Sequence, residues 1–187
     1  LTFGTTSVST TLVSGNVGVG GTGALLVTNV VTGGAAGTVS TFGGEVNSDT
    51  INVSGSGTLA FTDDVTPVTV LLIANCSTAT ITMAANKKFV GNIDATSNDG
   101  TVTFAATTTD TVLVSGTTGT ASGSGGFAAV NVAPATGVTA TFTGAYDAVT
   151  TLNSGAGTLR YSAATDTITN LSADGSVYVG AHHTGTI

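Results

Sequence analysis

Ten acidic residues stand against three lysines and arginines in this 187-residue chain, so the carboxylates are the first candidates for chemistry. Some share a local setting: Asp49-Thr50-Ile51, Asp110-Thr111-Val112, Asp147-Ala148-Val149 and Asp166-Thr167-Ile168. The interval from Asp147 to Asp166 is close to one period of the repeat described below, which places them on adjacent turns of a coil, facing one another. Stacked in that way they are calcium candidates. Calcium takes about six to eight oxygens, however, and the calcium-binding solenoid repeat G-G-x-G-x-D-x-U-x does not occur. An aspartate that opens a strand also bonds the backbone of its own turn. That role accounts for the column without a metal, and no metal site is assigned.

The remaining reactive side chains are scattered. Asp63-Asp64 and Asp94 with Asp99 are acidic pairs, but glycoside cleavage needs carboxylates a few ångströms apart with separated pKa values. Arg160 is the only cation besides Lys87 and Lys88, and no carboxylate cluster accompanies it. His182 and His183 are adjacent and would point to opposite faces of a strand. No G-x-S-x-G elbow is present. Cys76 is the single cysteine, so an internal disulfide is impossible, and it reads as a small inward-facing hydrophobe. The sequons at Asn52, Asn75 and Asn170 are short enough to arise in any chain. No catalytic residue or cofactor is assigned, and the chain is expected not to be an enzyme.

Threonine forms a further pattern, at Thr80-Ile81-Thr82, Thr101-Val102-Thr103, Thr139-Ala140-Thr141 and Thr167-Ile168-Thr169. Flat threonine ladders can order water and bind ice. The first two triplets share a position in the repeat, one period apart, but the others do not. An ice- or ligand-binding face is therefore an alternative rather than the main reading. A carbohydrate-active β-helix is a further alternative, and it would need acids clustered in a groove.

These residues must be carried by repeated elements. The unit Gly-Thr-Leu-x-aromatic recurs as GTLAF (Gly57–Phe61), GTVTF (Gly100–Phe104), GTLRY (Gly157–Tyr161) and GSVYV (Gly175–Val179), with looser copies at Gly37–Phe42 and Gly137–Phe142. The lead glycines keep nearly one interval from Gly37 to Gly57, from Gly137 to Gly157 and from Gly157 to Gly175. The span from Gly57 to Gly100 fits two rungs with a degenerate copy at Ser77–Ile81. The span from Gly100 to Gly137 is also read as two rungs, with a degenerate copy near Gly119. A fixed period of this size signals stacked repeats.

Each half-unit is rich in Thr, Val, Ile and Phe between Gly, Ser, Asn or Asp, which is strand and turn chemistry. Leu59 and Phe61, Val102 and Phe104, and Leu159 and Tyr161 are two apart, so each pair faces one side of its strand. Ile168 and Leu171 are the apolar pair of the Asp half-unit. Helical spacing is sustained nowhere, and Met83–Lys88 reads as a loop or single turn. The expected fold is all-β: a β-solenoid, as a parallel β-helix of about 20 residues per rung. An antiparallel β-sandwich is the alternative, but its strands need not resemble each other.

Composition narrows the role. Only 7% of residues are charged, and the net charge is −7. A globular surface carries more charge than this. Without a basic stripe the chain has no means of holding nucleic acid or an anionic membrane. No apolar run reaches the length of a membrane span.

With its repeat defined by Gly57–Phe61, Phe89-Val90-Gly91-Asn92-Ile93 and Gly157–Leu171, the chain resembles passenger regions of bacterial autotransporters. The likeness is strongest to surface antigens of the rickettsial outer-membrane type. It implies a parallel β-helix displayed on a bacterial surface or outside the cell, acting in adhesion or as a stalk or coat, with a membrane barrel downstream. Leu1-Thr2-Phe3 reads as the tail of a unit and Thr184-Gly185-Thr186-Ile187 as a strand under way, so neither end reads as a cap. Residues 1–187 are expected to be one elongated segment of a longer chain or of an end-to-end filament. The expected partners are flanking rungs or copies of itself, and a host-cell or matrix surface. The function expected is that of a non-catalytic structural segment.

Overall fold

The computed structural model describes residues 1–4, 9–19, 24–33, 38–73, 77–96, 98–119, 126–162, 166–179 and 183–186, with backbone alone at 68, 72, 166–169 and 183–186. Gly37, Cys76 and His182 lie outside the described residues, and with Cys76 the reading of it as an inward hydrophobe. The described residues are all-β with no helix, and parallel strands stack about 21 residues apart in a β-solenoid of about six turns.

Three sheets run along the coil. The first holds β1 (Thr2–Gly4), β3 (Leu25–Thr32), β5 (Val46–Gly55), β7 (Val65–Ile73) and β9 (Ile93–Ala95). The second holds β2 (Thr10–Val13), β4 (Val39–Phe42), β6 (Thr58–Phe61), β8 (Thr80–Met83), β10 (Thr101–Phe104), β12 (Phe127–Val132), β14 (Tyr146–Asn153), β16 (Asp166–Ala173) and β18 (His183–Thr186). The third holds β11 (Thr111–Val114), β13 (Thr139–Phe142), β15 (Thr158–Tyr161) and β17 (Ser176–Val179). Strands adjacent in a sheet are parallel, and each is followed by a turn onto another face. The antiparallel sandwich is thereby excluded.

The short strands alternate as their sequences require. In β4, β6, β8, β10 and β13 the second and fourth residues are buried and the first and third are half-buried. Leu59, Ile81, Val102, Val130, Thr151 and Leu171 pair in register as one inward column of the second sheet. Phe61, Met83 and Phe104 form the next column. Ala140 and Leu159, then Phe142 and Tyr161, do the same on the third sheet. Ile168 pairs with Ala148 through the backbone. Rings meet along the axis in the series Phe3, Phe42, Phe61, Phe89, Phe104, Phe142 and Tyr161, with centroids 5.2 to 6.0 Å apart.

One part of the sequence reading is corrected. The interval from Gly100 to Gly137 is not two rungs. Thr101 pairs with Ala129, so the coil between them is longer than its neighbours. The next Gly-Thr-Leu copy, on β13, then falls one face further round, against β11. The unit therefore occupies the second sheet as far as Phe104 and the third sheet from Thr139 onward. Gly119 marks a corner of the oversized coil, with φ of 72°, and not a copy of the repeat.

The lead glycines have separate causes. A Cβ on Gly57 would lie 2.4 Å from the carbonyl oxygen of Gly33, and one on Gly157 would lie 2.3 Å from that of Ala135. Both are fixed by close approach of neighbouring backbone. Gly100 instead has φ of 63°, a region L side chains avoid. The Met83–Lys88 stretch is a turn, closed by Lys87 N–H donating to the Ala84 carbonyl at 3.2 Å, with Asn86 at φ 61°.

Ile81→Ala in the middle of the inward column is expected to cost about 2–5 kcal/mol, whereas the outward Thr80→Ala changes stability by less than about 0.5 kcal/mol. Denaturant titration of both variants checks this. Thr118 offers the converse case. It stacks between Ile93 and Tyr146 and is fully buried, and its hydroxyl has no hydrogen-bond partner among the described residues. Thr118→Val keeps the branched shape and removes the unsatisfied oxygen, so it is expected to stabilise by about 1 kcal/mol, read from the same titrations.

Candidate functional site

With the inward positions committed to the core, any site must be built from outward columns and corners. The corners use carboxylates and amides to hold one rung to the next. Asp110 Oδ1 accepts the Thr139 N–H at 2.7 Å, Asp64 Oδ1 accepts the Lys88 N–H at 3.1 Å, and Asp49 Oδ1 accepts the Thr69 hydroxyl at 2.6 Å. These bonds reach the following rung, not the aspartate's own turn as the sequence suggested. Asp63 serves both purposes: its Oδ1 accepts the Asp64 N–H at 2.8 Å and the Lys87 Nζ at 2.6 Å. Lys87 holds the Asp63 carboxyl below the ordinary carboxylate range, chiefly by that side-chain hydrogen bond, and the Lys87 ammonium is correspondingly raised.

Asparagines act in the same way and were not singled out for this role in the sequence. Asn16 Oδ1 accepts the Glu45 N–H at 3.1 Å, and Asn92 Oδ1 accepts the Thr117 N–H at 2.9 Å while its Nδ2 donates to the Thr69 carbonyl at 3.1 Å. Asn92 thus ties its own rung to the rungs on both sides. The signal was present as Gly15-Asn16-Val17 and Gly91-Asn92-Ile93, a glycine and asparagine before a β-branched inward residue.

The calcium candidates do not face each other in register. Asp147 pairs with Thr167, and Asp166 pairs with Tyr146, so the two acids are offset by one position in the backbone pairing. Among the described residues no group of three His, Cys, Asp or Glu side chains converges as metal ligands would. Asp94 is buried and its Oδ1 accepts the Ala95 N–H at 2.9 Å.

The threonines form a partial plane. Thr58, Thr80 and Thr101 stack in one outward column of the second sheet, and Thr82 and Thr103 stack in the next. Ala60 interrupts the second column below Thr82, and Ala129 and Asn131 interrupt both above β10. Thr139 and Thr141 lie on the third sheet.

The third sheet gathers a different set. Thr139, Thr158 and Ser176 form one outward column, and Thr141, Arg160 and Tyr178 form its neighbour. The Arg160 guanidinium carbon lies 5.5 Å from the centre of the Tyr178 ring, a cation–π contact. Tyr178 is 55% exposed. Thr139, Thr158, Arg160 and Tyr178 line a shallow open groove of about 390 Å³. Among the described residues the ion pair is Lys87–Asp63, and Arg160 takes no part in one. The sequence singled out Arg160 as a cation without acids beside it, but could not show Tyr178, on the next rung, as its neighbour.

Burial raises the Asp147 carboxyl above its ordinary range. The folded state then holds that proton more tightly than the unfolded chain does. The stability linked to the protonated form is complete below the unfolded pKa of about 3.9 and is lost as pH rises through the higher folded value. Asp147→Asn is expected to raise Tm at pH 7 and to leave it unchanged near pH 3, measured by thermal melts across that range. No protein-family model, curated protein or solved structure matches this chain.

Proposed function

We propose that the chain is a rigid, non-catalytic structural segment of a bacterial cell-surface or extracellular protein, serving as a stalk or coat. The observation that carries this reading is the apolar inner stack that runs in register from Leu59 to Val130. Leu59, Ile81, Val102 and Val130 are fully buried and in register, and the backbone ladder continues through every pair of neighbouring strands of the second sheet. A rod of this kind resists bending because any bend opens ladder bonds and strips contacts from the axis together. At about 4.8 Å between neighbouring strands, the nine stacked strands of the second sheet extend about 38 Å along the axis.

Its exterior suits the same work. Threonine, serine and asparagine meet water, and threonine keeps β propensity while doing so. The low charge lets neighbouring rods approach without strong repulsion. The repeat's resemblance to autotransporter passengers supports display at a cell surface. In that setting the segment adheres or spaces apart what lies at its two ends.

Antibodies raised against the folded segment are expected to decorate intact cells of the organism that makes it, in electron micrographs of immunogold-labelled specimens. Labelling that appears only after the cells are permeabilised overturns the surface reading.

A further inference from the structure

The groove on the third sheet is not explained by a rod. A stalk needs its outward columns only to be soluble and β-forming. Arg160 is the chain's single arginine and interrupts an outward column whose lower neighbour is Thr141. Its guanidinium is placed by Tyr178. That contact is a cation–π approach and uses none of the guanidinium N–H donors. Arg160 is exposed and takes part in no ion pair among the described residues, so its planar fork of donors is available to a carboxylate in bidentate fashion.

The surroundings define the rest of the ligand. Thr139 and Thr158 line the groove with hydroxyls, each able to donate and accept. Asp110, whose Oδ1 takes the Thr139 N–H, sits at the end remote from Tyr178 and disfavours a second negative charge there. The site therefore fits a sugar ring that carries one carboxylate, with a neutral, hydroxyl-rich remainder beside it. A densely sulfated chain would meet the aspartate. The groove lies on the outward face of β13, β15 and β17 rather than along a strand edge, so it is not built to add an extended peptide as a further strand.

We propose that this groove binds a uronate-bearing glycan, with the sugar carboxylate on Arg160, its hydroxyls on Thr139 and Thr158, and Tyr178 holding the guanidinium in place. The site is shallow and rigid, so weak binding per groove is expected.

The test is titration of the isotope-labelled protein with a hyaluronan tetrasaccharide, followed through backbone amide resonances. Saturable shifts confined to the rungs of Thr139, Thr158, Arg160 and Tyr178 are expected. Arg160→Gln should weaken binding at least tenfold and Arg160→Lys by less, since the charge is kept and the fork is lost. Thr80→Ala, on the second sheet, should leave it unchanged. Unaltered amide spectra away from the groove show that the variants fold. The proposal is overturned if a neutral chitin tetrasaccharide binds as tightly, if inorganic sulfate shifts the same resonances with equal affinity, or if Arg160→Gln binds as well as the parent. None of these outcomes bears on the rod, whose test reads location instead.

Discussion

Everything in this fold depends on the parallel backbone ladder and the register it enforces. In a parallel pair each residue sits beside its equivalent one coil earlier, so like side chains stack on like. Leu59 stands over Ser40 and under Ile81, and Phe61 over Phe42 and under Met83. A slip by a single position would send a whole inward set to the outside. Pairing on both sides holds one register through most of the coil, and among the described residues it shifts only locally, at Thr11/Val13, Ser48/Thr50, Val112/Val114 and Ile168/Asn170. The buried column and the corner clamps are therefore consequences of register rather than independent sources of order.

The same constraint explains how the repeat can change face without breaking the rod. Where the oversized coil shifts the Gly-Thr-Leu unit from the second sheet to the third, the backbone pairing continues: β12 stacks on β10 and β13 on β11. The interior also continues. The coil is narrow enough for rings from different faces to meet, and Phe104 lies edge-on to Phe142 at 5.8 Å although their strands belong to different sheets. What the core requires is an aromatic or large aliphatic at the axis on each rung. Which face supplies it is free. Tyr146 illustrates the cost of that freedom: its ring packs edge-on against both members of the Phe142–Tyr161 stack, and its hydroxyl needs Thr151 Oγ1 at 2.7 Å because both are buried.

The fold was legible because its two periods are both written in the chain: alternation within strands and a steady recurrence between rungs. Leu59/Phe61, Val102/Phe104 and Leu159/Tyr161 could be placed inward from their spacing alone. The face change was not legible, since counting residues between glycines cannot distinguish two ordinary coils from one long coil and a change of face. The acidic column was only half legible. Its recurrence was visible, but whether Asp110 bonds its own turn or the rung above depends on where Thr139 falls, much later in the chain. The groove was the least legible. Arg160 and Tyr178 become neighbours through the register of β15 on β17, and no short motif joins them.

Outward columns stand in a different physical position from inward ones. An inward residue is held by the residue below, the residue above and the opposing faces, so a substitution is felt along the axis. An outward residue touches only its column neighbours and solvent. Threonine dominates there because it satisfies the strand without asking for a partner. Departures from threonine in such a column cost the rod little, and for that reason they are where a repeat acquires chemistry. Leu152 and Asn131 on the second sheet and Arg160 and Tyr178 on the third are departures of this kind. Asn131 and Leu152 are likewise consecutive in one column, but Arg160 and Tyr178 are set apart by their cation–π contact, so two tolerated changes combine into a cation beside an aromatic ring. A solenoid can thus keep its core uniform and confine its specificity to one or two columns over a few rungs.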